Sequence, residues 1–171
     1  VLAFASWSVG IQEGDLTRSV GAHLVSANYF SVLGVAPHLG RGFLPEEETA
    51  PALVAVLSHS FWQRHGADPN IIGQTVTLNN RKFTVVGVMP PGFTGTMAMM
   101  PPSMFLPLGT MDLLDTRRGS GLTDRGNHRY TLVARLKPGL APGNLGEPLR
   151  VLSARLAQAY PDTNKAFATA L

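Results

Sequence analysis

The sequence contains no cysteine among its 171 residues. This absence excludes disulfide bonds, thiolate nucleophiles and thiolate metal sites. Charged residues are also few, at 15%, whereas 44% of the residues are hydrophobic. The composition therefore excludes an intrinsically disordered chain, which would be poor in apolar residues and rich in charge.

Long apolar runs and strong net charge are missing as well. No stretch approaches the roughly 18 consecutive apolar residues that a membrane helix needs, and no signal peptide opens the sequence. Fourteen Lys and Arg against eleven Asp and Glu leave a net charge of +3 without a long basic run, so we expect no nucleic-acid partner. Since the sequence starts at Val1 and is apolar at both ends, we expect a domain cut from a longer polypeptide.

Residues that could carry out chemistry are present, but they form no known motif. HExxH, GxSxG, GxGxxG and GxxxxGKS/T patterns are all absent, so we expect no metal site, no cofactor and no enzyme. His59 and His65 do not share a helix face, and the other histidines are distant in sequence. Ser58 occupies the position of a hydrolase nucleophile between a strand and a helix, but helix capping explains it more simply. Glutamates 46–48 follow a proline and predict a solvated segment rather than a catalytic pair.

The N-terminal part of the sequence favours short strands. Residues 3–10 and 18–27 are rich in apolar residues and predict two strands separated by a polar turn. A short helix is predicted over residues 28–33, with Ser26 or Asn28 as its cap.

A buried strand and a hairpin are predicted in the middle of the sequence. The continuous apolar run 53–57 (LVAVL) is typical of a strand buried on both faces, and a helix is expected over 60–65. The clearest local pattern is a hairpin, in which 74–78 and 81–89 alternate around the turn Asn79–Asn80.

The last third of the sequence mixes a polar segment with regular elements. Residues 115–127 predict a mobile crossover, and the alternation over 129–137 predicts a strand. A helix beginning near Glu147 is indicated by a stripe of leucines, and a further strand is expected over 165–171. The predicted fold class is therefore α+β.

Methionine is unusually concentrated in one loop. Residues 97–104 (MAMMPPSM) contain four of the six methionines, Met97, Met99, Met100 and Met104. Thioethers are soft ligands that suit Cu(I), and they also form adaptable apolar surfaces for variable partners. A loop that folds its methionines onto the core is the simplest interpretation, and all three stay open.

Several sequence runs together resemble one known family. They are VSANYFSVLGV (25–35), LGRGF (39–43), the long run 54–93, FLPL (105–108), YTLVARLKPGL (130–140) and the helix ending in AYPDTN (159–164). Their order and wording resemble the MacB-like periplasmic core domain of FtsX-type ABC transporter permeases. The resemblance covers about residues 18–164. It is closest to the large orphan permeases without a fused ATPase that are found in acidobacteria and their relatives.

The resemblance implies a periplasmic domain with two parts. A porter-like α/β part would be formed from both chain ends, residues 1–26 and 128–171. A β-rich sabre-like part, residues 27–127, would be inserted between them. The usual first strand–helix unit of the porter-like part is not evident, and Pro142 and Pro148 interrupt the start of its last helix.

The resemblance also implies a mechanical function. In this family, cytoplasmic ATP hydrolysis moves the membrane helices, and the periplasmic domains respond to export a substrate or to release a lipoprotein or peptide. The implied partners are the membrane helices of the parent permease, a second permease subunit or half, the ATPase acting indirectly, and an unknown exported substrate or periplasmic protein. No cofactor and no chemistry of its own are implied. The alternative is a free-standing periplasmic ligand or soft-metal binder that uses the Met97–Met104 loop.

Exposed residues of the methionine-rich segment and of the 115–127 crossover are the candidates for partner contact. The arginines of the crossover could meet an acidic partner, although solvated loop arginines are commoner. The candidate contact residues are Met97, Met99, Met100, Met104, Arg117, Arg118 and Arg125.

Overall fold

The computed structural model describes residues 1–49, 52–114 and 122–164. These residues group into two units, one from Val1 to Val133 and one from Ala134 onwards. The predicted strand 165–171 lies outside the described residues, as does the first part of the predicted crossover. Because strands and helices are both present, the predicted α+β class is confirmed.

Strands dominate the first unit. They are β1 (Leu2–Glu13), β2 (Leu16–Val25), β3 (Leu39–Gly40), β4 (Val54–Leu57), β5 (Thr75–Leu78), β6 (Arg81–Val88), β7 (Met104–Pro107) and β8 (Thr131–Val133). The short helices between them are α1 (Tyr29–Leu33), α2 (Pro45–Thr49), α3 (His59–Arg64) and α4 (Met111–Leu114). The second unit contains α5 (Gly146–Ala159) and α6 (Pro161–Asn164).

Six strands of the first unit form a sheet that closes on itself. β1 and β2 form a long antiparallel hairpin, and the ring continues from β2 through β7, β4, β6 and β5. β5 returns to β1, where Ile11 pairs with Leu78. Closure of this kind removes the open edges that a flat sheet would expose. Outside the ring, β3 pairs with β6, and β8 pairs with the first residues of β1.

Alternation along the strands separates the apolar side chains into two clusters. In β1, Ala5, Val9 and Ile11 belong to the cluster inside the barrel, whereas Leu2 and Phe4 belong to a second, outer cluster. The period of two residues produces this division, because successive side chains of a strand point to opposite faces. β1, β2, β4, β6 and β7 therefore each contribute to both clusters, whereas β5 contributes only to the inner one.

A bulge adjusts this alternation where β4 pairs with β6. The register shifts between Ala55 and Val56, so that Ala55 lies opposite Val85 but Val56 lies opposite Gly87. Val85 and Val88, three residues apart, consequently belong to the same inner cluster. Gly87 is required here, because a Cβ atom would overlap the carbonyl oxygen of Arg41 beside it.

The predicted hairpin is confirmed as β5 and β6. Asn79 and Asn80 form its turn with φ angles of 47° and 62°, the left-handed values that a two-residue turn of this type needs. Asn79 also reaches across to β1. Its N–H donates to the Gly10 carbonyl at 2.9 Å, and its Oδ1 accepts the Gly10 N–H at 2.8 Å.

Two local predictions in the first unit hold only in part. Asn28 occupies the N-cap position of α1, as predicted. Asn28 makes no side-chain capping bond to α1, because its Oδ1 accepts a hydrogen bond from the Ser26 hydroxyl instead, at 2.7 Å. The predicted strand 129–137 is only the three residues of β8. In the antiparallel register Val133 lies opposite Leu2, the first residue of β1, so the residues that follow Val133 have no partner residues on that strand.

The glutamate segment 46–48 also differs from the prediction of a solvated segment. It forms α2, and Glu47 is 8% exposed. The Glu47 carboxylate accepts hydrogen bonds from Arg41 at 2.7 and 2.9 Å and from the Leu44 N–H at 2.8 Å. The Leu44 bond is the half of a capping box in which a glutamate binds the backbone at the helix start.

The second unit contains the predicted leucine-striped helix. α5 begins at Gly146, so Pro148 lies in its first turn, where proline is tolerated. None of its residues is buried, and Leu152 is 51% exposed. Within the described ranges, no helix combines the length and hydropathy needed to cross a membrane.

The Arg41–Glu47 pair makes the stability of the first unit depend on pH. Hydrogen bonding by Arg41 holds the pKa of Glu47 below its usual value. The resulting stabilisation is complete above the unfolded pKa of about 4.3 and is lost as the pH falls through the lower folded pKa. We expect Glu47→Gln to lower the free energy of unfolding at neutral pH by about 1–2 kcal/mol, the lower end of the range for charged hydrogen bonds because Arg41 is partly exposed.

Urea denaturation between neutral pH and pH 3 measures this effect. Glu47→Gln should also flatten the loss of stability in acid. The exposed neighbour Glu46 provides the control, since Glu46→Gln should change the stability by less than about 0.5 kcal/mol. If the Glu47→Gln variant and the unchanged protein lose the same stability in acid, the Arg41–Glu47 pair is not the cause of that loss.

Candidate functional site: the methionine loop and the groove beside it

Residues 90–103, which we call the methionine loop, connect β6 to β7. Both ends of the loop are fixed to the barrel by backbone hydrogen bonds. The Met89 N–H donates to the Leu57 carbonyl at 2.8 Å, and the Ser103 N–H donates to the Gly21 carbonyl at 2.8 Å. The loop therefore starts beside β4 and ends beside β2, at defined positions on the barrel.

A buried tyrosine holds the middle of the methionine loop. The Tyr29 hydroxyl accepts a hydrogen bond from the Thr96 N–H at 2.9 Å and lies 3.1 Å from the Thr96 hydroxyl. Tyr29 is fully buried in the outer cluster, and burial raises the pKa of its hydroxyl. Gly95 has a φ of 73° and would place a Cβ atom 2.9 Å from the Tyr29 hydroxyl, so glycine is needed here.

A buried imidazole lies under the same part of the loop. His23 is 2% exposed, and its ring packs against those of Phe4 and Phe105 at centroid distances of 5.7 and 6.0 Å. Its Nδ1 has no hydrogen-bond partner in the described part of the chain. Burial lowers the pKa of His23, so the ring is neutral at physiological pH and contributes to the outer cluster as an aromatic group.

The four clustered methionines lie in different environments. Met97 is half-buried, and its sulfur accepts a hydrogen bond from the Ser6 hydroxyl at 3.2 Å. Met99 is 97% exposed and Met100 is 66% exposed, at a turn closed by the Met100 N–H on the Met97 carbonyl. Met104 is fully buried in β7, because its side chain points into the barrel.

These environments correct part of the sequence-based expectation. Met104 has no exposed surface and is removed from the predicted contact residues. A soft-metal site built from all four thioethers is not favoured, since Met104 lies in the inner core while Met99 is in solvent. Met99 and Met100 form the exposed tip of the loop.

An open groove of about 500 Å³ lies between the methionine loop and the start of α3. The lining carries hydroxyl, amide, imidazole, aromatic and proline groups and no carboxylate, ammonium or guanidinium group. Such a surface suits an uncharged or amphipathic partner better than an ion. The lining residues are Ser58, His59, Ser60, Gln63, Pro91, Gly92, Phe93, Thr94, Pro101 and Pro102.

Ser58, at one side of the groove, caps α3 as predicted. Its Oγ accepts the Phe61 N–H at 3.3 Å and lies 3.3 Å from the Ser60 hydroxyl. Among the described residues, no imidazole or carboxylate hydrogen bonds to this Oγ. The groups that would activate a serine nucleophile are therefore not placed beside Ser58.

The histidines near α3 serve in packing and in one hydrogen bond to a carboxylate. His38, His59 and Trp62 form an aromatic cluster with centroid distances of 5.3–6.0 Å. His65 Nε2 lies 2.7 Å from Glu13, and this hydrogen bond lowers the pKa of Glu13. The described residues contain no group of three or more His, Asp or Glu that could hold a metal ion.

The remaining candidate residues do not meet at one site. Arg125 is exposed, whereas Arg117 and Arg118 lie outside the described residues. Sequence reasoning missed Tyr29 and the groove. Tyr29 lies 67 residues from Thr96, and no local pattern indicates a contact at that separation.

The Tyr29–Thr96 contact yields a prediction about the loop. Because Tyr29→Phe removes the acceptor of the Thr96 N–H, we expect a loss of about 1–2 kcal/mol in the free energy of unfolding. The Thr96 amide should also exchange with deuterium about tenfold faster. Thr96→Val is the matched control, since it removes only the hydroxyl and keeps the N–H bond. Unchanged exchange in Tyr29→Phe would show that this contact does not hold the loop.

Comparison with solved structures shows the same fold in three transporter domains. The periplasmic region of MacB from Actinobacillus actinomycetemcomitans matches with a TM-score of 0.66 and 20% identity, over 95% of this chain and 68% of that chain. A domain of a putative permease from Porphyromonas gingivalis matches with a TM-score of 0.62 and 20% identity, over 90% and 68%. The extracellular domain of the noncanonic ABC-type transporter YknZ from Gram-positive bacteria matches with a TM-score of 0.64 and 12% identity, over 95% and 76%.

Sequence comparison identifies the family. No curated protein sequence matches the chain. The sequence profile of the MacB-like periplasmic core domain, however, matches residues 2–151, which is most of the chain. The resemblance found in the sequence is thereby confirmed, and so is the periplasmic location that goes with it. The chain belongs to the MacB-like periplasmic core domain family, the extracytoplasmic domains of ABC transporter permeases.

Proposed function

We propose that this domain transmits ATP-driven movement of a permease to a substrate or partner outside the cytoplasm. The observation that carries the proposal is the family match over residues 2–151, together with the shared fold of three transporter domains. The ATPase acts indirectly, through the membrane helices of the parent permease. A second permease subunit or half completes the assembly.

The construction of the first unit supports a mechanical role. A sheet that closes into a ring around one apolar cluster, with a second cluster packed on part of its outer face, resists deformation because the closed interior is densely packed. A displacement applied at one side of such a body is transmitted to the other side. This rigidity is the property that a transmitting domain needs.

The proposal assigns no chemistry to the domain itself. Ser58 is engaged in capping α3, and two of the three carboxylates of α2 bind the protein's own groups, Glu47 with Arg41 and Glu48 with the Ala27 N–H. No cofactor and no nucleic acid are part of the proposed function.

Partner contact is assigned to the exposed tip of the methionine loop and the groove beside it. Met99 and Met100 present flexible apolar side chains, which adapt to partners of different shape. Arg125, with Arg117 and Arg118, is a second candidate for contact with an acidic group. The partner in this proposal is the exported substrate or a periplasmic protein.

Spin labels can test the proposed movement in the assembled transporter. The chain has no cysteine, so single cysteines at the exposed positions Asp15 and Lys82 provide defined sites within it. We expect the distance between Asp15 labels on the two permease subunits to shift between the nucleotide-free and ATP-bound states. The distance between labels at Asp15 and Lys82 of one domain should stay constant, because the barrel moves as a body.

Two results would contradict the proposal. If the distance between the Asp15 labels on the two subunits is the same in all nucleotide states, the proposed movement of the domains does not occur. A changed distance within one domain would show deformation of the barrel in place of rigid displacement.

The contact surface is tested separately by substitution. Met99→Ser combined with Met100→Ser should reduce transport by the whole permease several-fold while changing the stability by less than about 0.5 kcal/mol. Leu16→Ser is the matched control, because Leu16 is an apolar residue 74% exposed outside the methionine loop. Equal transport by the two variants would remove the loop tip from the contact surface.

A further inference from the structure

We propose that Met99 and Met100 form a reversible oxidation site, whose conversion to methionine sulfoxide switches off the contact surface of the methionine loop. The modification follows from the sulfur environments alone. Its regulatory consequence rests on the proposed function, since it requires the loop tip to contact a partner.

The six methionines differ sharply in access to solvent. Met99 and Met100 are 97% and 66% exposed, whereas Met89 and Met104 are fully buried and Met111 is 3% exposed. Met97 is intermediate, half-buried under the hydrogen bond from Ser6. Because an oxidant must reach the sulfur lone pair, oxidation should follow this order of exposure.

The amino-acid composition leaves Met99 and Met100 without a competing thiol in this chain. A thiolate is the usual first target of a peroxide in a protein, and this chain has no cysteine. Its sulfur atoms are therefore all thioethers, and two of them stand in solvent at the tip of one loop in a periplasmic domain.

The reaction is a two-electron oxygen transfer from a peroxide. The thioether lone pair attacks one peroxide oxygen, forming an S–O bond while the O–O bond breaks. The sulfur is oxidised to the sulfoxide, and the departing hydroxide takes the proton of the transferred oxygen and leaves as water. A methionine sulfoxide reductase reverses the change with reducing equivalents from a dithiol.

The structure predicts that oxidation at the tip changes the surface and spares the fold. Neither Met99 nor Met100 belongs to the inner or the outer cluster. A sulfoxide replaces an apolar side chain with a polar one, so the tip loses the apolar character that favours contact. The loop stays in place, because Tyr29 and Ser6 hold it through Thr96 and Met97.

Mass spectrometry of the intact permease treated with hydrogen peroxide tests the modification. Trypsin cleavage after Lys82 and Arg117 places all six methionines in one peptide, residues 83–117, so fragmentation compares them directly. We expect the first two oxygens at Met99 and Met100, with Met89, Met104 and Met111 oxidised at least about tenfold more slowly. Oxidation of Met104 or Met89 as fast as Met99 would overturn the proposal.

A conservative variant tests the regulatory consequence. Met99→Leu combined with Met100→Leu keeps an apolar tip that peroxide cannot oxidise. We expect peroxide to lower transport by the unchanged permease and methionine sulfoxide reductase to restore it. Transport by the leucine variant, measured relative to its own untreated rate, should not change with peroxide. Equal loss in the leucine variant would overturn the regulatory inference. The serine variant described above distinguishes this failure from that of the contact surface, because its transport is measured without an oxidant.

Discussion

The contact between β1 and β5 turns an open sheet into a barrel, and the rest of the first unit depends on it. It consists of the Ile11–Leu78 bridge and two hydrogen bonds between Asn79 and the backbone of Gly10. Leu78 is fully buried and Ile11 is 4% exposed, so the contact also closes the inner cluster. Without it, β1 and β5 would each present unpaired backbone groups, and the interior would open to water.

Closure has a consequence on the outside of the barrel. Where the outer face of the strands carries apolar side chains, those side chains must be covered, and the outer cluster does this with α1 and the methionine loop. His23 and Phe105 form part of that outer surface, and Tyr29 packs against Phe105. The position of the loop is thus fixed by the second core, while its tip extends beyond it. A rigid base with an exposed apolar tip results from the same alternation of side chains.

The sequence predicted those features that depend on neighbouring residues. The Asn79–Asn80 turn, the Ser58 cap and the leucine-striped helix each follow from a pattern of a few residues, and the structure contains all three. Closure of the barrel joins Ile11 to Leu78, which are distant in sequence, and no local pattern indicates this pairing. The length of β8 is likewise set by a distant pairing, because β8 pairs with β1 at Leu2–Phe4, where β1 begins. The division into porter-like and sabre-like parts stays a prediction. β1 and β2, from residues 1–26, share their sheet with strands from residues 27–127.

The clustering of methionines in the sequence does not predict the environment of each methionine in the fold. Residues 97–104 hold four methionines, and their spacing alone treats them as one group. In the fold, the alternation of β7 sends Met104 into the barrel, whereas Pro101 and Pro102 separate Met99 and Met100 from that strand. The Ser6 hydroxyl donates a hydrogen bond to the Met97 sulfur, which places Met97 at the outer surface of β1. The environment of each thioether in this segment therefore depends on its position relative to β7. Met104 lies in the core, Met97 lies at the base of the loop, and Met99 and Met100 are exposed to solvent. That position decides which sulfur can meet a partner or an oxidant.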